Sequence, residues 1–92
     1  MNRIPIESGR VVWSKAGRDA GRPFIVLTAD DTFAYTVDGE LRCVESPKKK
    51  KLRHLRPTPL LFPSIPAILK DGKIPSNAEI RKLLSDRQQT EG

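Results

Sequence analysis

The sequence predicts a mainly β fold: a small five-stranded β-barrel or strongly bent sheet, followed by a C-terminal helical appendage. Short β-branched and aromatic runs recur between turn residues through the first half of the chain. An Asp38-Gly39 pair separates two of these runs. Beyond Pro57 and Pro59 the apolar residues change to helical spacing. At 92 residues the chain has room for one domain. We divide it into a barrel over residues 1–58, and a proline-broken linker with a C-terminal helix docked on the barrel over residues 59–92.

Val11-Val12-Trp13 after Gly9-Arg10, and Phe24-Ile25-Val26-Leu27 after Arg22-Pro23, read as the first two strands. The loop between them carries Gly17 and Gly21, and a positive φ or a close backbone approach accounts for Gly21. Thr32 to Val37 and Glu40 to Val44 read as a hairpin. A three-residue loop pairs Tyr35 with Leu41 and Phe33 with Cys43, which gives one apolar face and puts Gly39 at the left-handed position. Leu52 to Leu55 is the fifth strand, and Pro57 and Pro59 end the β region.

In the second part, Ser64 is expected to cap a short helix that runs to Lys70 and stops at Gly72. Ser76-Asn77-Ala78-Glu79 has the form of a capping box. Ile80, Leu83 and Leu84 then form an apolar stripe, with Arg87 placed to suit the helix end. So short a helix needs a surface to pack on, here the chain's own barrel or else a partner.

The charge balance narrows the function classes. Seventeen Lys and Arg against eleven Asp and Glu give a net charge of +6, which favours a polyanionic partner. An acidic membrane surface would also attract it. A chain this small buries only roughly 60–65% of its unfolded surface, leaving no room for a large catalytic cleft. Cys43 is the single cysteine, so no internal disulfide and no thiolate metal cluster is expected, and a reducing cytosol suits it. No long apolar run precedes Arg10, so no secretory leader is expected. Leu60 to Leu69 is broken by Pro63 and Pro66 and is far shorter than the ~20 residues of a membrane span, so a soluble protein is expected.

Two basic segments carry the binding chemistry. Lys15, Arg18 and Arg22 surround Gly17 and Gly21, where small residues admit a phosphate backbone and long cationic arms reach its oxygens. The bland alternative is a solvated polar turn. Lys48, Lys49, Lys50 and Lys51, with Arg53 and Arg56, form the second patch. Four adjacent lysines repel one another, so this segment is expected to be extended or mobile until an anion neutralises it. Its alternatives are a solvated loop or a sheet edge protected by charge.

The remaining singular residues point away from catalysis. His54 has no nucleophile and orienting acid near it in sequence, and stands as a phosphate donor or a packing residue. Cys43 reads as a small hydrophobe. Asp30-Asp31 reads as a turn and not as a metal site. Trp13 is either a core residue or a base-stacking aromatic, with burial favoured, and Phe33 and Tyr35 are expected in the core.

The run Gly9-Arg10-Val11-Val12-Trp13-Ser14-Lys15-Ala16-Gly17-Arg18-Asp19-Ala20-Gly21-Arg22 resembles a KOW motif. The match continues through Val37-Asp38-Gly39-Glu40-Leu41-Arg42, the lysine run, His54-Leu55-Arg56-Pro57-Thr58 and Asn77-Ala78-Glu79-Ile80-Arg81-Lys82. Together these segments are similar to the bacterial KOW domain-containing RNA-binding proteins, small relatives of an archaeal and eukaryotic large-subunit ribosomal protein. The resemblance covers most of the chain and is least specific from Leu60 to Lys73. It implies an SH3-like barrel whose loop after the first strand meets RNA.

The expected function is therefore non-catalytic binding of folded RNA, ribosomal by resemblance, in the cytoplasm, with no metal or cofactor. The expected contacts are Lys15, Arg18, Arg22, Arg42, Lys48, Lys49, Lys50, Lys51, Arg53, His54 and Arg56. A ribosomal or translation-associated protein is a further expected partner; a membrane and a small-molecule substrate are not. The alternative is an SH3-like protein-interaction adaptor that uses the apolar C-terminal segment and helix.

Overall fold

The computed structural model describes residues 4–91, and side chains as far as Arg87. Five strands, β1 (Arg10–Ser14), β2 (Pro23–Ala29), β3 (Phe33–Val37), β4 (Lys48–Lys51) and β5 (Leu55–Leu61), form one antiparallel sheet in the order β4-β3-β2-β1-β5. A single 3₁₀ turn, Leu52–His54, joins β4 to β5, and two helices follow, α1 (Ser64–Lys70) and α2 (Asn77–Glu91).

The sheet is not closed, because β4 and β5 share no ladder. It is nevertheless curled. β4 and β1 stand three places apart in strand order, about 14 Å in a flat sheet. That exceeds the reach of one lysine, yet Lys50 Nζ on β4 donates to Ser14 Oγ on β1 at 2.5 Å. The Lys15 N–H also donates to the His54 carbonyl at 2.8 Å, tying the turn between the two edge strands to the end of β1.

Curling buries one face of the central strands, and the two helices cover the other. Val12, Phe24, Val26, Ala34 and Leu55 form one cluster. Val11, Ile25, Leu27 and Val37 form the other, covered by Ile65 of α1 and by Ile80 and Leu84 of α2. The unbroken apolar run Phe24–Leu27 suits a strand packed on both sides. Ile65 and Ile80 are fully buried, each contributing about 1.5–3 kcal/mol of burial. The apolar stripe of α2 thus docks on the chain's own sheet.

Several expectations need correction. Glu40 to Val44 is not a strand. Asp38 Oδ1 accepts the N–H groups of Glu40 (2.9 Å) and Arg42 (2.8 Å), so the segment winds into a turn and the Tyr35–Leu41 and Phe33–Cys43 pairs do not form. Gly39 is left-handed as expected (φ 81°), but its role is to let α2 approach, since a Cβ there would meet Asn77 and Arg81. The fourth strand is instead the lysine run, with Phe33 opposite Lys51 and Tyr35 opposite Lys49.

The fifth strand begins where the expected one ends and carries both prolines. β5 pairs only with β1, and an edge strand tolerates residues without an N–H. Its ladder is irregular between Arg10 and Val12, where the Thr58 hydroxyl donates to the Val11 carbonyl at 2.8 Å.

Among the helices, Ser64 begins α1 without capping it, whereas Gly72 ends it in a left-handed conformation (φ 77°). Ser76 Oγ accepts the Glu79 N–H at 3.1 Å, the serine half of the expected capping box. Asn77 fastens α2 to the β3–β4 connection: its Oδ1 accepts the Val44 N–H, and its Nδ2 donates to Glu45, which holds that carboxyl below its ordinary pKa. Arg87 lies before the last turn of α2, and its guanidinium stands over the Trp13 ring, 4.9 Å from the centroid. No described helix is long and apolar enough to cross a membrane.

Candidate nucleic-acid interface

Two basic segments about thirty residues apart in sequence meet at one hollow. The β1–β2 loop runs past the end of β4, and the curl of the sheet brings the 3₁₀ turn beside it. The hollow measures about 480 Å³ and is lined by Arg18, Asp19, Arg42, Lys48, Lys49, Lys50, Lys51 and His54, with Ala16, Gly17 and Phe33. Arg18, Lys49 and Lys51 are exposed, and Arg42, Lys48 and His54 are half-buried.

Lys50 lines the hollow too but is buried, unlike its neighbours. As a residue of β4 it points away from Lys49 and Lys51, and its side chain is only 8% exposed. Its ammonium donates to Ser14 Oγ and to the Ala16 carbonyl (3.0 Å), and it stands 3.4 Å from Asp19 Oδ2. Three partners, Ser14 at the end of β1 and Ala16 and Asp19 of the loop after it, therefore converge on one buried cation, and the loop is held against the sheet. The Ser14 hydroxyl itself donates to the Ala16 carbonyl at 3.1 Å.

Arg22 is partly committed too. Its guanidinium donates to Asp38 Oδ2 at 3.4 Å, linking the β1–β2 loop to the Asp38 turn. It borders a second hollow, about 370 Å³, shared with Arg18 and Arg42. Arg53 lines a third, also about 370 Å³, beside Lys51. Lys15 and Arg56 are exposed but line neither the main hollow nor its neighbours. Arg56 sits on β5 opposite Trp13. Of the eleven expected contacts, seven thus line one concavity, Lys50 among them as a buried support, and Arg22 and Arg53 adjoin it.

Compared with known proteins, no family model matches the chain and no curated protein matches it in sequence. The site is therefore read from its own chemistry.

The residue that sequence reasoning placed elsewhere is Phe33. It is half-buried and borders the hollow, with the Lys49 ammonium 4.3 Å from its ring centroid. Tyr35, also expected in the core, is half-buried beside an apolar groove formed with Leu27, Val44, Leu69 and Ile74. The available signal was alternation: Ala34 and Thr36 are fully buried, which turns Phe33 and Tyr35 the other way. Trp13 is half-buried, with Arg87 over its ring. Among the described residues no group of three or more His, Cys, Asp or Glu is placed to hold a metal ion.

Asp30 shapes the β2–β3 turn that leads into β3. Its Oδ1 accepts the N–H groups of Phe33 and Thr32, each at 2.8 Å. Those two bonds, the Phe33 one foremost, hold its carboxyl below the ordinary aspartate pKa, and Lys49 lowers it further.

Proposed function

We propose that this chain is a non-catalytic RNA-binding protein, a KOW-type module on an SH3-like barrel, that holds folded RNA at the hollow between the β1–β2 loop and β4. One observation carries the reading: cations from both basic segments, Arg18 from one and Lys48, Lys49 and Lys51 from the other, line a single concavity. Each phosphate placed there releases condensed counterions, so affinity comes chiefly from the backbone and little from sequence. The curled sheet with a 3₁₀ turn between its last two strands is compatible with an SH3-like barrel. The ribosome as the setting, a translation-associated protein as a second partner and the cytoplasm as the compartment rest on the resemblance alone.

The adaptor reading has one observation in its favour, the exposed Ile74 beside the apolar groove at Tyr35. Against it, Ile80 and Leu84, the stripe it needs, are spent on the chain's own core.

Binding of a structured RNA at low salt, followed by crosslinking in cells and sedimentation against ribosomal subunits, tests the proposal. We expect a complex with RNA that co-sediments with subunits. No complex at low salt contradicts RNA binding, and recovery only in the free-protein fraction contradicts the ribosomal setting.

A further inference from the structure

Phosphate contact explains the cations of the hollow but not its aromatic ring. A surface built only to meet a phosphate ladder has no use for a half-buried phenylalanine among lysines and arginines. Phe33 stands there because β3 is next to the edge strand and its inward-facing neighbours are Ala34 and Thr36. The same register puts Lys51 directly opposite it, while Lys49 reaches over its ring.

Size and shape say what fits. A concavity of about 480 Å³ is in the range of small-molecule pockets. It admits a single nucleoside and excludes a double helix, which can only pass over its mouth. Backbone flanks the hollow at Ala16 and Gly17. Gly17 has no side chain, and nothing lies within 4 Å of where one would stand, so a ligand can approach that backbone closely. An unpaired base with its ribose inside, and its flanking phosphates on Arg18, Lys48 and Lys51, satisfies the apolar and the cationic features at once.

We propose that the hollow receives one unpaired nucleotide, its base stacked on Phe33, next to helical RNA whose phosphates meet the rim. This rests on the RNA-binding reading above and narrows its substrate to RNA with an extruded or terminal base. Stacking requires Lys49 to leave the ring face, where it is exposed and free to swing to a phosphate. Exchanging a surface cation–π contact for a base stack favours binding, because the stack is the stronger contact of the two. Every base has a π face, so the nucleotide's identity matters little.

The test uses two RNAs of equal length, a blunt duplex and the same duplex with one unpaired nucleotide. Their affinities are measured for the full chain, for Phe33→Leu, which keeps apolar bulk but removes the π face, and for Phe33→Tyr, which keeps it. We expect the full chain to prefer the RNA with the unpaired nucleotide by about tenfold, as one base stack implies. Phe33→Leu, shown to be folded by its cooperative thermal unfolding, loses that preference; Phe33→Tyr retains it. Equal affinity of the parent for both RNAs overturns the proposal and leaves the RNA reading standing. So does a Phe33→Leu variant that keeps the preference or weakens on both RNAs alike. Binding to neither RNA at low salt removes the RNA reading and the proposal together.

Discussion

Lys50 holds its ammonium 3.4 Å from the carboxylate of Asp19, with the lysine side chain 8% exposed and the aspartate 18%. The pair joins an edge strand to the glycine loop on the far side of the curl. One lysine of the basic run therefore belongs to the architecture, and its neighbours on either side belong to the surface.

That division gives the first prediction. Lys50→Met leaves Asp19 uncompensated and frees the β1–β2 loop from β4 by removing the bonds to Ser14 and Ala16. We expect a loss of about 2–4 kcal/mol, read by urea unfolding, and partial recovery in Lys50→Met/Asp19→Ala, where no charge is stranded. Lys51→Gln, at an exposed position, should shift stability by no more than about 0.5 kcal/mol. Equal effects at the two positions would show that Lys50 is not the structural one.

The docking of α2 yields a second. Ile80 is fully buried among residues of the sheet, so Ile80→Ala should cost about 2–5 kcal/mol. Gly39→Ala meets two penalties, a left-handed backbone and the Asn77 and Arg81 atoms beside the glycine, and should cost at least about 1–2 kcal/mol. Thermal unfolding checks both, and a neutral Gly39→Ala would show that the helix does not press on the Asp38 turn.

Asp30 gives a pH prediction. Its carboxyl lies below the ordinary aspartate value because the Phe33 and Thr32 N–H groups bond the charged form. A depressed folded pKa means that the contribution is fully present above the unfolded-chain pKa, near 3.9, and is lost as pH falls through the folded value. Carboxyl-carbon NMR should show Asp30 titrating below the ordinary aspartate value. A midpoint at or above that value would contradict the turn.

Much of this fold was legible in the sequence, and the places where it was not have physical reasons. β1 to β3, the capping box of α2 and the turn at Asp30 follow from apolar runs and from side chains that bond their own backbone. β4 was hidden because four identical lysines carry no alternation, although a strand's period of two separates Lys50 from Lys49 and Lys51. β5 was hidden by Pro57 and Pro59, which read as a stop until the strand is known to lie at an edge. The Asp38-Gly39 hairpin failed because the Asp38 carboxylate takes the Glu40 and Arg42 N–H groups. The basic character of both candidate segments was plain from composition. Their meeting at one hollow, with Phe33 beside them, depends on the curl of the sheet, which no local pattern records.

The most direct test of the central claim is the salt dependence of binding to a structured RNA, for the full chain and for Lys48→Gln/Lys49→Gln/Lys51→Gln. With Arg18, Arg42, Lys48, Lys49 and Lys51 each neutralising one phosphate, log affinity should fall against log salt with a slope of about −3.5 to −4.5. Removing three of those five cations should reduce it to about −1.4 to −1.8. A slope near zero, or one that the triple substitution leaves unchanged, would contradict the assignment of RNA phosphates to this hollow.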